Sequence, residues 1–196
     1  MSDSYLSSSL TFYDDKIVVE DSGSRQNGVE VMMDWEHPIM SASTAYITQN
    51  GGDILEIGFG MGIASGYIQS HSISSHTIIE NHPQIISKAV EWASGKSNIT
   101  IVSQSWYDVL DSLGTYDGIF HDTFDDQNMG EFSSSLPSLT KPGTKATMFW
   151  GEINDTSSIP PSERFNIQSF ETVDITVEGN SYYGDTDTYY LPKMEF

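Results

Sequence analysis

The chain has 196 residues, 37% of them hydrophobic, enough for one globular domain around a single core. Its 28 acidic residues face only 8 Lys and Arg, and a formal charge of −20 repels phosphate backbones and argues against a nucleic-acid partner. No apolar run reaches the roughly 18 residues that span a bilayer. The first ten residues lack the basic patch and apolar core of a signal peptide, and the absence of cysteine excludes a disulfide framework and a thiolate metal site. These features fit a cytoplasmic protein, with the negative surface read first as a solubility adaptation, for example to salt, and second as a way of drawing in cations.

Residues 2–9 are Ser-rich and expected to fray. Short β-like runs at 10–13 and 16–20 flank Asp14 and Asp15, which predicts a hairpin or edge ribbon with its next turn at 21–24. Residues 1–30 are therefore read as an N-terminal ribbon that can serve as a lid, and 31–196 as a single domain. Pro38 suits the first turn of a helix whose Ile39, Ala42, Ala45 and Tyr46 recur at helical spacing, and Asn50, Gly51 and Gly52 close it.

The apolar run ending at Ile57 leads into glycines at alternate positions, Gly58, Gly60 and Gly62, and then into a predicted helix over 61–69. A strand, a tight glycine turn and a helix N-terminus offer close backbone approach and free N–H groups at a positive dipole end. A plain structural turn has the same spacing. Glu80 favours a nucleoside-type cofactor, because it ends a second strand at 76–80, where an acid typically holds ribose hydroxyls.

Pro83 opens a helix with Ile86, Ala89, Val90 and Ala93 on one face, closed by Gly95. A strand at 99–102, a partly helical stretch at 106–113, a strand at 116–122, a helix at 127–139, a turn at 141–144 and a strand at 145–150 follow. The last third reads as β segments at 165–177 and 182–194 joined at Gly179 and Asn180. Strands separated by helices imply an α/β fold, Rossmann-like and mostly parallel, with a C-terminal antiparallel hairpin. Ligands in such sheets collect at the carboxyl ends of strands, where Glu56, Glu80, Asp122 and Trp150 fall. The five histidines show no HxH or HExxH spacing, so no metal site is expected.

The run Glu56-Ile-Gly-Phe-Gly-Met-Gly resembles the first motif of class I S-adenosylmethionine-dependent methyltransferases. Val31-Met-Met-Asp-Trp-Glu-His-Pro-Ile-Met is similar to a segment of guanidino N-methyltransferases, the group of guanidinoacetate N-methyltransferase and the delta-N-arginine methyltransferases. The resemblance runs over about 27–152 with its motifs in unbroken order. It implies a class I methyltransferase sheet that binds S-adenosyl-L-methionine and releases S-adenosyl-L-homocysteine.

On the cofactor side the resemblance points to Met32, Met40, Glu56, Gly58, Phe59 and Gly60, and further to Met61, Gly62, Ile63, Glu80, Asn81 and Asp122. Ser105-Trp-Tyr-Asp-Val is similar to the segment that brackets adenine, which adds Trp106 and Tyr107, although the family more often has an acid at the position of Tyr107. Met32, Met40 and Trp106 also fit plain core packing.

On the acceptor side the resemblance makes Glu36 and Asp122 hold a guanidine from two sides, with Thr123 and Trp150 beside them. A guanidinium is planar, carries five donors and is matched best by carboxylates in a fork. With a pKa above 12 it has almost no free base at neutral pH, so a carboxylate must take a proton as the methyl arrives; Asp122 is assigned as base and Glu36 as orienting acid. Either residue taken singly also fits a helix cap. After the fifth strand the family has a Thr-Ser pair before Trp-Gly-Glu, whereas this chain has Met148 and Phe149 before Trp150, which puts binding of a free carboxylate end in doubt. The expected activity is methylation of a small guanidinoacetate-like molecule by a monomer or homodimer with no membrane or nucleic-acid partner. The alternatives are a protein arginine delta-N methyltransferase and a non-catalytic cofactor-binding module.

Overall fold

The computed structural model describes residues 3–21, 28–124, 129–150, 165–177 and 187–196. A short helix, α1 (Asp3–Leu6), replaces the expected frayed start, and Tyr5 within it is 2% exposed. The predicted ribbon is a three-stranded antiparallel sheet of β1 (Ser9–Phe12), β2 (Lys16–Asp21) and β3 (Glu30–Met33) in that order, with the turn at Asp14 and Asp15 as expected. The turn expected at 21–24 lies, beyond Asp21, outside the described residues.

β3 runs straight into a 3-10 turn over Asp34–Glu36 and then α2 (His37–Ile47), with Pro38 in its first turn. The buried side of α2 is broader than predicted: Ile39, Met40, Ser43, Thr44, Tyr46 and Ile47 face protein and Ala45 faces solvent. The main sheet then builds through β4 (Asp53–Ile57), α3 (Ile63–Ser70), β5 (Ser75–Glu80), α4 (Pro83–Ala93) and β6 (Ile99–Ser103). On α4 the core contacts come from Ile85 and Ala89, not from the predicted Ile86 and Val90; Val90 is 54% exposed. The apolar pattern alone fits both registers of the helix face, and docking on the sheet selects one.

A helix, α5 (Trp106–Val109), precedes β7 (Tyr116–His121), and α6 (Met129–Leu139) crosses over to β8 (Thr140–Met148). β8 starts earlier than predicted because it absorbs the expected turn as a bulge. Tyr116 pairs with Thr140 but Gly118 pairs with Lys145, and Gly143 takes φ +92 within the extra residues. β9 (Ile167–Asp174) and β10 (Thr188–Glu195) form the expected closing hairpin, whose join lies outside the described residues.

The seven strands stand in the order β6-β5-β4-β7-β8-β10-β9. Five are parallel, and β10 runs antiparallel between β8 and β9. The chain moves outward from β4 to β6, then returns to the other side of β4 at β7. That reversal opens a crevice between the carboxyl ends of β4 and β7, the place where open α/β sheets bind ligands. Among the described residues no helix is long and apolar enough to cross a membrane.

Candidate active site

The crevice begins with the glycine loop. Gly58 has φ +95 and gives its N–H to Ile79 O at 2.8 Å, while Asp122 N–H donates to Ile57 O at 2.8 Å, so the ends of β4, β5 and β7 are tied together. A Cβ on Gly58 would overlap the carbonyl oxygen of Asp122, which means that only glycine lets these two strand ends meet. Gly60 faces Met32 in the same way, and Met61 N–H donates to the Met32 sulfur at 3.2 Å. β3 thereby lies over the loop and makes one wall.

The cleft at this point holds about 590 Å³ of non-atom space, open solvent at its mouth included. Met32, Glu56, Gly58, Phe59 and Gly60 line one part of it. Glu80, Asn81, Trp106, Asp122 and Thr123 line the rest of what the sequence singled out. Tyr5, Val31, Gln104 and Phe124 also line it and carried no sequence signal for the site. Tyr5 arrives through the fold of the ribbon, with its ring 4.9 Å from those of His82 and Phe124.

The other expected cofactor residues stand back from the cleft. Met40 is fully buried in the core beneath α2, and Gly62 and Ile63 start α3 behind the loop. Met61 packs between two core clusters. Tyr107 is 40% exposed, with its ring edge-on to Trp106.

Glu80 is 6% exposed, and its carboxylate accepts from the amides of Phe59 at 3.0 Å, Asn81 at 2.8 Å and His82 at 2.8 Å. Burial pushes its pKa up, and these amides together with that of Gly60 pull it back. Glu80 thus braces the glycine loop as well as facing the cleft. Glu56 and Asn81 each bring a buried oxygen, Oε1 and Oδ1, with no hydrogen-bond partner. Unpaired buried acceptors beside a glycine cradle suit a ligand rich in N–H and O–H donors, as a nucleoside bearing an amino-acid tail is.

Glu36, read from the sequence as an acceptor-side acid, is 3% exposed, with its Oε1 accepting from Met33 N–H at 2.9 Å. Its pKa is raised well above the usual carboxyl value, first by burial and then by the nearby negative charge of Asp122. Asp122 is pushed up to about 7 by burial and then by Glu56 and Glu80. Tyr189, 1% exposed on β10, feels both Asp122 and Glu36, and its hydroxyl accepts from Trp150 N–H at 3.0 Å and donates to Met148 O at 3.3 Å. Trp150 lies just past the end of β8, part-buried against the core beside Met148. The fold therefore brings Glu36, Asp122 and Tyr189 within electrostatic reach of one another, from the turn before α2, the end of β7 and the closing hairpin, and of the three Asp122 is the one that lines the cleft.

This arrangement has recognisable relatives. The sequence pattern of guanidinoacetate N-methyltransferase matches residues 13–133 of the chain. The chain belongs to the guanidinoacetate N-methyltransferase family. It is 39% identical over 135 residues to protein arginine N-methyltransferase 2 of Aspergillus oryzae, an overlap of 65% of this chain and 31% of that protein. With protein arginine N-methyltransferase 2 of Kluyveromyces lactis it shares 34% over 160 residues, 75% of this chain and 38% of that one. The matched region thus spans about a third of the length of these relatives. Among solved structures, the N-methyltransferase NodS from Bradyrhizobium japonicum WM9 superposes with a TM-score of 0.62 at 15% identity, over 82% of this chain and 96% of that one, which is a likeness of fold. The fold is that of a class I S-adenosylmethionine-dependent methyltransferase, and S-adenosyl-L-methionine is the cofactor of the family.

Proposed function

We propose that the chain transfers a methyl group from S-adenosyl-L-methionine to a nitrogen of a guanidino group. The observation that supports this most is the pair of buried acids, Glu36 and Asp122: the charge of Asp122 raises the cost of ionising Glu36, and Asp122 itself lines the cleft. Two buried carboxylates with no ion pair to a cation among the described residues are a poor arrangement for stability and a good one for gripping a planar cation.

The cofactor, when bound, supplies an electrophilic methyl on a sulfonium. The residues of the chain must supply an acceptor nitrogen with an available electron pair. Asp122 is assigned to take the proton: the N–H bond breaks toward its carboxylate as the N–C bond forms, and the pair of the C–S bond leaves with sulfur. Its pKa of about 7 puts it in the range where a carboxylate is a useful base near neutral pH. Glu36 is assigned to orientation, because the Met33 N–H fixes the direction of its carboxylate. An arriving guanidinium supplies a positive charge and draws both acids into their ionised forms. Most of the rate should come from alignment of nitrogen, carbon and sulfur and from this electrostatic match.

For the acceptor, an arginine side chain within a protein is the reading that the names of the relatives favour. The replacement of the family's hydroxyl pair by Met148 and Phe149 before Trp150 points the same way, since those two side chains offer no hydroxyl to the free carboxylate of a small guanidino acid. A small guanidinoacetate-like molecule is the second reading, favoured by the description of the family itself. Labelled cofactor incubated with guanidinoacetate, arginine and agmatine on one side and arginine-containing peptides on the other separates the two. Multiple-turnover formation of S-adenosyl-L-homocysteine with either set excludes a non-catalytic binding module.

A further inference from the structure

The pairing of β4 with β5 sets Ile54 beside His76 and Glu56 beside Ile78, so Glu56 and His76 are diagonal neighbours on one face of the sheet. α3 covers that face, and its Ser65 and Gln69, one helical turn apart, both look down on it. Together they make a closed ladder of polar groups. Ser65 Oγ donates to Glu56 Oε2 at 2.5 Å, His76 Nε2 lies 2.8 Å from the same oxygen, and the Gln69 side-chain nitrogen is 3.2 Å from His76 Nδ1. Glu56, Ser65 and His76 have no solvent exposure.

Both contacts to Glu56 fall on Oε2. Oε1 of Glu56 is buried with no partner, and Glu56 is part of the cleft wall. We propose that His76, with Ser65, is a positioning residue that holds Glu56 so that Oε1 receives a cationic amino group of the cleft's ligand, the ammonium of the amino-acid end of S-adenosyl-L-methionine. This rests on the methyltransferase reading of the cleft.

The chemistry runs from the orphaned atom outward. A buried carboxylate oxygen without a partner is costly, and the cost is recovered when a charged donor reaches it. Rotation of the carboxylate to satisfy Oε1 from inside the protein would sacrifice the Ser65 hydrogen bond and the approach of His76 at once. His76 can meet a carboxylate oxygen with Nε2 only by carrying the proton there, which leaves Nδ1 to accept from the Gln69 amide. Its approach to Oε2 is close without being an aligned hydrogen bond, so Ser65 sets the angle and His76 supplies the electrostatic hold. Glu80 does not compete for the ammonium, since both of its oxygens accept backbone amides.

Calorimetry with two ligands tests this: S-adenosyl-L-homocysteine, and 5′-deoxy-5′-methylthioadenosine, which keeps the nucleoside and thioether but lacks the amino-acid end. His76→Leu is expected to weaken the first by about tenfold or more, as loss of a partner to a charged group does, and to change the second by less than about twofold. His76→Gln, which returns an N–H donor, is expected to restore most of the loss, and Glu56→Gln to weaken the first ligand selectively. Equal weakening of both ligands in His76→Leu, or unchanged binding of the first, overturns the proposal. Thermal unfolding accompanies each variant; if His76→Leu does not fold, Glu56→Gln decides, and undiminished binding of the homocysteine ligand by it overturns the proposal. Wild-type protein that binds methylthioadenosine with no preference for the longer ligand overturns the ammonium site and leaves the cofactor reading standing. Wild-type protein that binds neither overturns both.

Discussion

The negative charge of Asp122, at the end of β7, makes Glu36, in the turn before α2, harder to ionise. Burial shifts both acids toward the neutral form, helped at Glu36 by Asp122 and at Asp122 by Glu56 and Glu80, so the site as a whole favours an arriving cation. Tyr189 closes the same neighbourhood from the C-terminal hairpin. Removal of the charge at one acid should therefore be felt at the other. Asp122→Asn is expected to keep the fold and to bind S-adenosyl-L-homocysteine, while turnover falls by about 10²–10⁴, the usual contribution of a positioned base. Calorimetry and a coupled turnover assay on the same preparation check both halves.

The pH dependence follows from the direction of these shifts. Both acids must be ionised to hold a guanidinium, so kcat/KM is expected to rise as pH passes about 7, the value to which Asp122 is pushed. Stability runs the other way. A carboxyl with a raised folded-state pKa contributes stability that is fully present below its usual value of 3.8 and is lost as pH rises through about 7. Urea titrations at pH 5 and pH 8 are expected to show the ligand-free protein losing stability at pH 8 by a smaller amount in Asp122→Asn than in the wild type.

Gly58 is the position where the loop tolerates least. Its φ is +95, and a Cβ there would collide with the backbone of Asp122, which cannot swing away as a side chain could. Gly58→Ala is expected to cost about 1–3 kcal/mol or more from the strained backbone alone, and to abolish cofactor binding by parting β4 from β7. Chemical denaturation with a parallel binding titration reads the two effects.

One side chain of α4 ties the N-terminal sheet to the main body with two bonds, beside the apolar packing between them. Leu10 N–H donates to Gln84 Oε1 at 2.8 Å, and Gln84 Nε2 donates to Leu10 O at 3.2 Å. Gln84→Ala is expected to lower stability by about 1–2 kcal/mol. It should also speed amide exchange in β1 and β2 more than in β4. Exchange that rises equally in both sheets would mean that the ribbon and the main sheet open together.

The glycine loop was legible from spacing alone, because Gly58, Gly60 and Gly62 follow an apolar strand and precede a helix, and all three take positive φ. Glu80 was legible as the acid at the tip of the next strand. Glu36 was not legible from local pattern, since a lone acid before Pro38 looks like a helix cap; only the resemblance over 31–40 singled it out. Tyr5, Tyr189 and His76 were missed because their place depends on pairings between distant segments. His76 did leave a faint trace: once β4 and β5 are set in parallel register, the face that carries Glu56 must also carry His76. The faces of α2 and α4 were misjudged at Ala45, Ile86 and Val90, where apolar spacing admits neighbouring registers and only docking against the sheet decides. The bulge that draws the 141–144 turn into β8 escaped for the same reason, being a property of the β7 pairing.

The most direct test of paired-acid chemistry is transfer of labelled methyl from S-adenosyl-L-methionine to a panel of arginine-containing peptides and small guanidines, by wild type, Glu36→Gln and Asp122→Asn, each first shown to bind S-adenosyl-L-homocysteine. The expected result is label on a guanidino nitrogen with the wild type and loss of at least two orders of magnitude in both variants. Label transferred equally well by the wild type and both variants would contradict it.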